Sequence, residues 1–81
     1  NFEKAKYQYT LAIKLNPIFA EAYNNLGSVF QSLGDYKKAI KNYLKAIKNK
    51  SEFYDAHRNL GEIYILILET TKRSLAYSIR F

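Results

Sequence analysis

Apolar residues recur at intervals of three and four along most of the chain. Ala22, Tyr23, Leu26, Val29, Phe30 and Leu33 form one stripe, and Tyr36, Ala39, Ile40, Tyr43, Leu44 and Ile47 form another. That spacing lines one face of an α-helix. Gly34-Asp35 separates the two stripes. Glycine can end a helix in the left-handed conformation, and aspartate can cap the next one. Asn16-Pro17 closes an earlier helix that starts near Phe2, because a residue before proline avoids the α region. Ser51 stands in the slot of Pro17, so Ser51-Glu52 is expected to cap the helix that follows. The pattern predicts five helices, about 2–15, 19–33, 36–49, 53–67 and 71–80. The last two can also be drawn as one helix running on from Tyr54.

The stripes repeat. Shifted by 34 positions, the chain lies on itself: Ala5 on Ala39, Tyr9 on Tyr43, Ala12-Ile13-Lys14 on Ala46-Ile47-Lys48. Phe19 falls on Phe53, Ala22 on Ala56, and Asn25-Leu26-Gly27 on Asn59-Leu60-Gly61. A helix pair that recurs at a fixed period cannot bury its apolar face alone, so successive pairs stack. Gly27 and Gly61 lie inside helices, where glycine costs roughly 1 kcal/mol against alanine. Their recurrence predicts that a partner helix comes close at both. The aromatic stripe of Tyr23, Phe30, Tyr36 and Tyr43 then fills the space between helices.

Ala20-Glu21-Ala22-Tyr23-Asn24-Asn25-Leu26-Gly27, followed by Phe30, Gly34-Asp35-Tyr36, Ala39, Tyr43 and Ala46, resembles the tetratricopeptide repeat. The resemblance implies an all-α, right-handed solenoid of antiparallel helix pairs, about two and a half repeats long. Residues 1–17 would be the second helix of a truncated repeat and 18–51 a complete one. Residues 52–81 would supply the first helix of a third repeat and a degenerate or capping C-terminal helix. The pattern departs after Leu66. Leu68 replaces the turn glycine, Arg73 replaces the packing alanine, and Arg80 replaces the second small residue, while Tyr77 and Phe81 keep the spacing to Tyr43 and Ile47.

No catalytic constellation stands out. The three glycines are isolated, and there is no cysteine for a thiol site, a zinc site or a disulfide. The one histidine, His57, occupies the slot of Tyr23 and reads as structural; Asp55 lies on another helical face. Glu62 and Glu69 are seven apart, and Ser28 and Ser32 have no base beside them. No enzyme activity and no cofactor are expected of this segment. It shows no signal peptide or membrane span, and a cytoplasmic place is the mild expectation.

In arrays of this kind the first helix of each repeat lines an inner groove. Residues off the packed stripe would face it: Glu21, Asn24, Asn25, Ser28, Gln31 and Ser32, then Asp55, Arg58, Asn59, Glu62, Ile65 and Leu66. Asn25 and Asn59 share one slot in successive repeats, about 10 Å apart at ordinary helix spacing. An asparagine amide can pair with both the N–H and the C=O of a peptide unit. The run from Glu21 to Gly27 is also similar to arrays attached to O-linked N-acetylglucosamine transferases. There, asparagines in this slot hold substrate chains by their backbone. Both readings stand for Asn25 and Asn59, backbone recognition and a bond to a neighbouring helix. A carboxylate clamp of the kind that takes chaperone tails is not matched, because Asp55 and Asn59 stand where cations are needed.

Charge changes one part of the picture. Thirteen Lys and Arg against seven Asp and Glu give +6 in 81 residues. The surplus sits on the third helix, where Lys37, Lys38, Lys41, Lys45 and Lys48 lie opposite the apolar stripe. A solvated outer face is the plain reading, and a salt-sensitive contact with nucleic acid or an anionic membrane is the sharper one. The run Ile63–Leu68 is too wide for a helix with one wet side and needs a cover: residues 69–81, a further domain or a second copy. The expected function is a protein-interaction scaffold that takes a peptide or partner protein through Asn24, Asn25, Ser28, Arg58, Asn59 and Glu62. The alternative is a non-catalytic repeat arm of a larger enzyme, such as a glycosyltransferase. Self-association through the exposed helical ends is a further expectation.

Overall fold

A computed structural model of the chain describes residues 1–80, without the side chains of residues 79 and 80. Four helices follow in order: α1 (Phe2–Leu15), α2 (Ala20–Ser32), α3 (Tyr36–Asn49) and α4 (Tyr54–Arg80). The described residues contain no strand. Each helix packs on the next, and α2 also touches α4. The result is an all-α stack of helical repeats, 52 × 29 × 14 Å along its axes.

The helix ends follow local chemistry. Asn1 caps α1, its Oδ1 accepting from the N–H of Glu3 and Lys4. Asn16, before Pro17, ends α1 with its own N–H donating to the Ala12 carbonyl. Gly34 takes φ +82°, a region that side chains rarely enter, and turns the chain between α2 and α3. Asp35 then caps α3 by accepting from the Lys38 N–H at 3.2 Å.

The third connection is made differently from expectation. Ser51 and Glu52 form a turn ahead of Phe53, and no side-chain cap comes from them. His57 closes the turn instead, its Nε2 donating to the Ser51 carbonyl at 2.9 Å. Tyr23 does the same one repeat earlier, its hydroxyl donating to the Pro17 carbonyl at 2.9 Å. The histidine has therefore inherited both the slot and the bond of the tyrosine.

Two apolar clusters hold the stack. Ala20, Tyr23, Ala46, Phe53 and Ala56 form the first, with Ile13 of α1 against it. Ala39, Tyr43, Leu60 and Ile63 form the second, and Ile47 joins both. Ala39, Tyr43, Ala46, Ala56 and Ile63 are sealed from solvent. Burying Ile63 alone stabilises the stack by about 1.5–3 kcal/mol. α1 contributes no fully buried residue, since only one of its faces has a neighbour.

A separate helix over 71–80 does not form. α4 runs unbroken for 27 residues, about 40 Å at 1.5 Å per residue. Leu68 and Glu69 stand where Gly34 and Asp35 make the earlier turn, and neither favours the left-handed conformation needed there. The close approach expected at Gly61 is missing for the same reason. A Cβ at Gly27 would lie 2.7 Å from the Tyr43 ring, whereas one at Gly61 meets nothing within 4 Å. Tyr77, the counterpart of Tyr43, is carried away along α4. The correspondence of Phe81 with Ile47 and the side chain of Arg80 lie outside the described residues.

Candidate functional site

The inner helices of successive repeats are α2 and α4, and a hydrogen bond joins them directly. Asn59 Nδ2 donates to Asn24 Oδ1 at 3.1 Å. Asn24 is buried, at 9% exposure, so its side chain faces the next repeat and not solvent. It belongs to a stripe of Ala20, Asn24, Gly27 and Gln31, spaced four, three and four residues apart. The small residues in that stripe are the signal that this side of α2 is covered. Among the expected groove residues, Asn24 is thus an anchor within the stack.

Asn25 is exposed and makes no side-chain hydrogen bond. Asn59 is half-buried, and Asn24 takes one of its two N–H donors. One N–H and the carbonyl of the Asn59 amide remain available. The structure therefore pairs Asn59 with Asn24, one residue before its repeat counterpart. Ser28, Arg58 and Glu62 are exposed. Arg58 is held by Asp55 at 3.1 Å within α4. Glu21 binds Lys50 Nζ at 3.3 Å, tying α2 to the end of α3. Its own backbone N–H, and then Lys50, hold the Glu21 carboxyl below its ordinary value.

The Tyr43 ring fills the core, as its place in the aromatic stripe implies. Its hydroxyl does more, donating to Gln31 Oε1 at 2.7 Å. Burial pushes the Tyr43 phenol up, Ser28 opposes that shift, and the nearby Glu62 carboxylate adds to it. Ser28, Gln31 and Glu62 therefore converge on one phenol from two repeats. The period-34 register marks Tyr43 as repeated; no feature of the sequence showed which way its hydroxyl points.

The five expected basic residues, Lys37, Lys38, Lys41, Lys45 and Lys48, are all exposed along α3. Two of them also cover rings of α2. The Lys38 Nζ lies 5.6 Å from the centre of Phe30 and the Lys45 Nζ 5.8 Å from that of Tyr23. Among the described residues, no group of three His, Asp or Glu side chains comes together as a metal cage would. A depression on the molecule is lined by Thr70, Thr71, Ser74, Leu75 and Ser78, all from α4, so no second element walls it. No helix among the described residues is long and apolar enough to cross a membrane.

The fold and the inner face define a helical-repeat protein. Residues 20–53, which cover α2, α3 and the turn after them, match the tetratricopeptide repeat. Repeats of this family generally mediate protein–protein interactions and are typically non-catalytic. No curated protein matches the chain.

Proposed function

We propose that the chain binds an extended polypeptide segment along the inner face formed by α2 and α4. The observation that supports this most is the asparagine arrangement. Asn25 presents an unoccupied amide, and Asn59 presents the rest of one whose orientation Asn24 fixes. An amide held in place before binding loses less freedom on forming its bonds. Amides read peptide N–H and C=O groups, so the groove would select extended main chain more than side-chain sequence. Ser28, Arg58 and Glu62 flank those positions and would add side-chain preference.

The test is titration calorimetry against a panel of unrelated extended peptides, with the wild type beside Asn25→Ala. That variant removes no bond of the stack, so the fold is kept. The double variant Asn25→Ala/Asn59→Ala follows, with far-UV circular dichroism to confirm its helicity. Weak, broad binding that Asn25→Ala lowers and the double variant loses is the expected result. Binding that neither variant changes, or no binding at all, would sink the reading. Binding that collapses with salt and ignores Asn25→Ala would place the contact on the exposed lysines of α3. The same groove would serve a repeat arm of a larger enzyme, such as a glycosyltransferase. A catalytic domain in the same reading frame would decide that.

A further inference from the structure

We infer that the chain stacks head to tail: α1 of one copy docks on the open face of α4 of another and supplies the second helix that this repeat lacks. The packed repeat shows what such a face takes. There the Tyr43 ring seats over Gly27 at a distance that leaves no room for a Cβ, and Ala39 and Ala46 lie about one turn to either side, sealed from solvent. Lys38 lies over the Phe30 ring. α1 repeats the incoming surface 34 positions earlier. Ala5, Tyr9 and Ala12 stand in the slots of Ala39, Tyr43 and Ala46, and Lys4 stands in that of Lys38. α4 repeats the receiving surface 34 positions later, with Gly61 for Gly27 and Tyr64 for Phe30.

Both surfaces are open. A Cβ at Gly61 meets nothing, and Tyr64, Ile65 and Leu68, three, four and seven residues on, share its face at 49–68% exposure. Ile63, sealed against α3, lies on the opposite face. On α1, Ala5, Tyr9 and Ala12 are only half-buried, where their counterparts on α3 are sealed. The reason is position: α3 is held between α2 and α4, whereas α1 touches α2 alone among the described residues. α1 and α4 of one chain do not touch, so this knob and notch meet between copies.

Charge also selects a second copy as the occupant. Residues 2–15 carry Lys4, Lys6 and Lys14 against Glu3, and residues 54–69 carry Asp55, Glu62 and Glu69 against Arg58. Docking therefore sets a positive helix on a negative one. Glu62 stands in the slot of Ser28, which bonds the Tyr43 hydroxyl, so its carboxylate is placed to accept from the hydroxyl of the incoming Tyr9. The two patches are different, and each copy in a pair keeps one of them free. The contact therefore propagates instead of closing.

Sedimentation equilibrium tests this. The wild-type mass is expected to climb past the dimer as concentration rises, without levelling off. Gly61→Leu places its Cβ in open space within its own chain and keeps the fold, but it fills the notch. It should weaken the association about tenfold or more. Tyr9→Ala, with helicity checked by circular dichroism, should do the same from the other side. Each variant keeps the patch that the other has lost, so an equal mixture should form a discrete heterodimer and nothing larger. Three results would overturn the inference. One is a wild type that stays monomeric at every soluble concentration, which would leave the face of α4 to a different protein. Another is a mass that levels off at the dimer, which would mean a closed contact between identical patches. The third is an association that Gly61→Leu leaves unchanged.

Discussion

Gly27 and Gly61 occupy the same slot in successive repeats, and their surroundings are opposite. Over Gly27 the Tyr43 ring is pressed close, sealed from solvent and bonded through its hydroxyl to Gln31. Over Gly61 there is open space, and Tyr77 sits exposed further along the same helix. The glycine and the tyrosine are the same in both repeats, while Arg73 and Arg80 stand in the slots of the packing Ala39 and Ala46. The turn between them differs too, Gly34-Asp35 in the first and Leu68-Glu69 in the second. A repeat's interior is thus decided at its connection: without a residue suited to left-handed backbone, the helices that should pair stay end to end.

The largest expected effect separates the two tyrosines. Tyr43→Ala removes a sealed ring and its bond to Gln31, and should destabilise the chain by about 3–5 kcal/mol. A domain of this length holds on the order of 4–12 kcal/mol in total, so the variant should be largely unfolded near 37 °C. Tyr77→Ala removes an exposed ring and should cost much less, about 1 kcal/mol or below. Urea titration followed by circular dichroism reads both. Equal losses would mean that the Tyr77 ring is packed as tightly as that of Tyr43.

The glycines come next in size, and their effects differ in sign. Gly27→Ala forces a methyl group against a ring that is enclosed on all sides, and should cost about 1–3 kcal/mol. Gly61→Ala meets nothing and replaces a poor helix former with the best, so the chain should gain about 0.5–1 kcal/mol. Gly61→Ala should therefore raise the melting temperature that circular dichroism reads, and Gly27→Ala should lower it. A loss of stability from Gly61→Ala would remove the contrast between the repeats.

Most of the fold was legible in the sequence because its cues are local. The 34-residue register, Gly34-Asp35 and Asn16-Pro17 place α1, α2 and α3 to within a residue. The end of the chain was less legible. The register continues through Tyr77 and suggests a fifth helix, while the turn chemistry at Leu68-Glu69 denies it, and the turn prevails. The inner face was legible in outline only. Asn25 is exposed as its slot implies, but Asn24, one residue earlier, is buried and bonded to Asn59. Which of two adjacent asparagines turns inward depends on how α4 sits against α2, and that is set by packing outside the helix itself.

The smallest expected effect lies in the contact between Glu21 and Lys50, which links α2 to the end of the packed repeat. Asp55, the counterpart of Glu21, pairs with Arg58 on its own helix. Glu21 is held below its ordinary value of 4.5 by its backbone N–H and by Lys50. A carboxyl lowered on folding adds stability above its unfolded value, and that stability is lost as pH falls through the folded one. The melting temperature should therefore decline as pH drops below about 4.5, and Glu21→Gln should make that decline shallower. Both groups are half-exposed, so salt should screen the contact and reduce the difference between variant and wild type. If Glu21→Gln left the acid limb unchanged at low salt, α2 would be tied to α3 by apolar packing alone. The packed repeat would then differ from the bare one in its turn, in the tyrosine that the turn delivers and in the alanines at 39 and 46 that receive it.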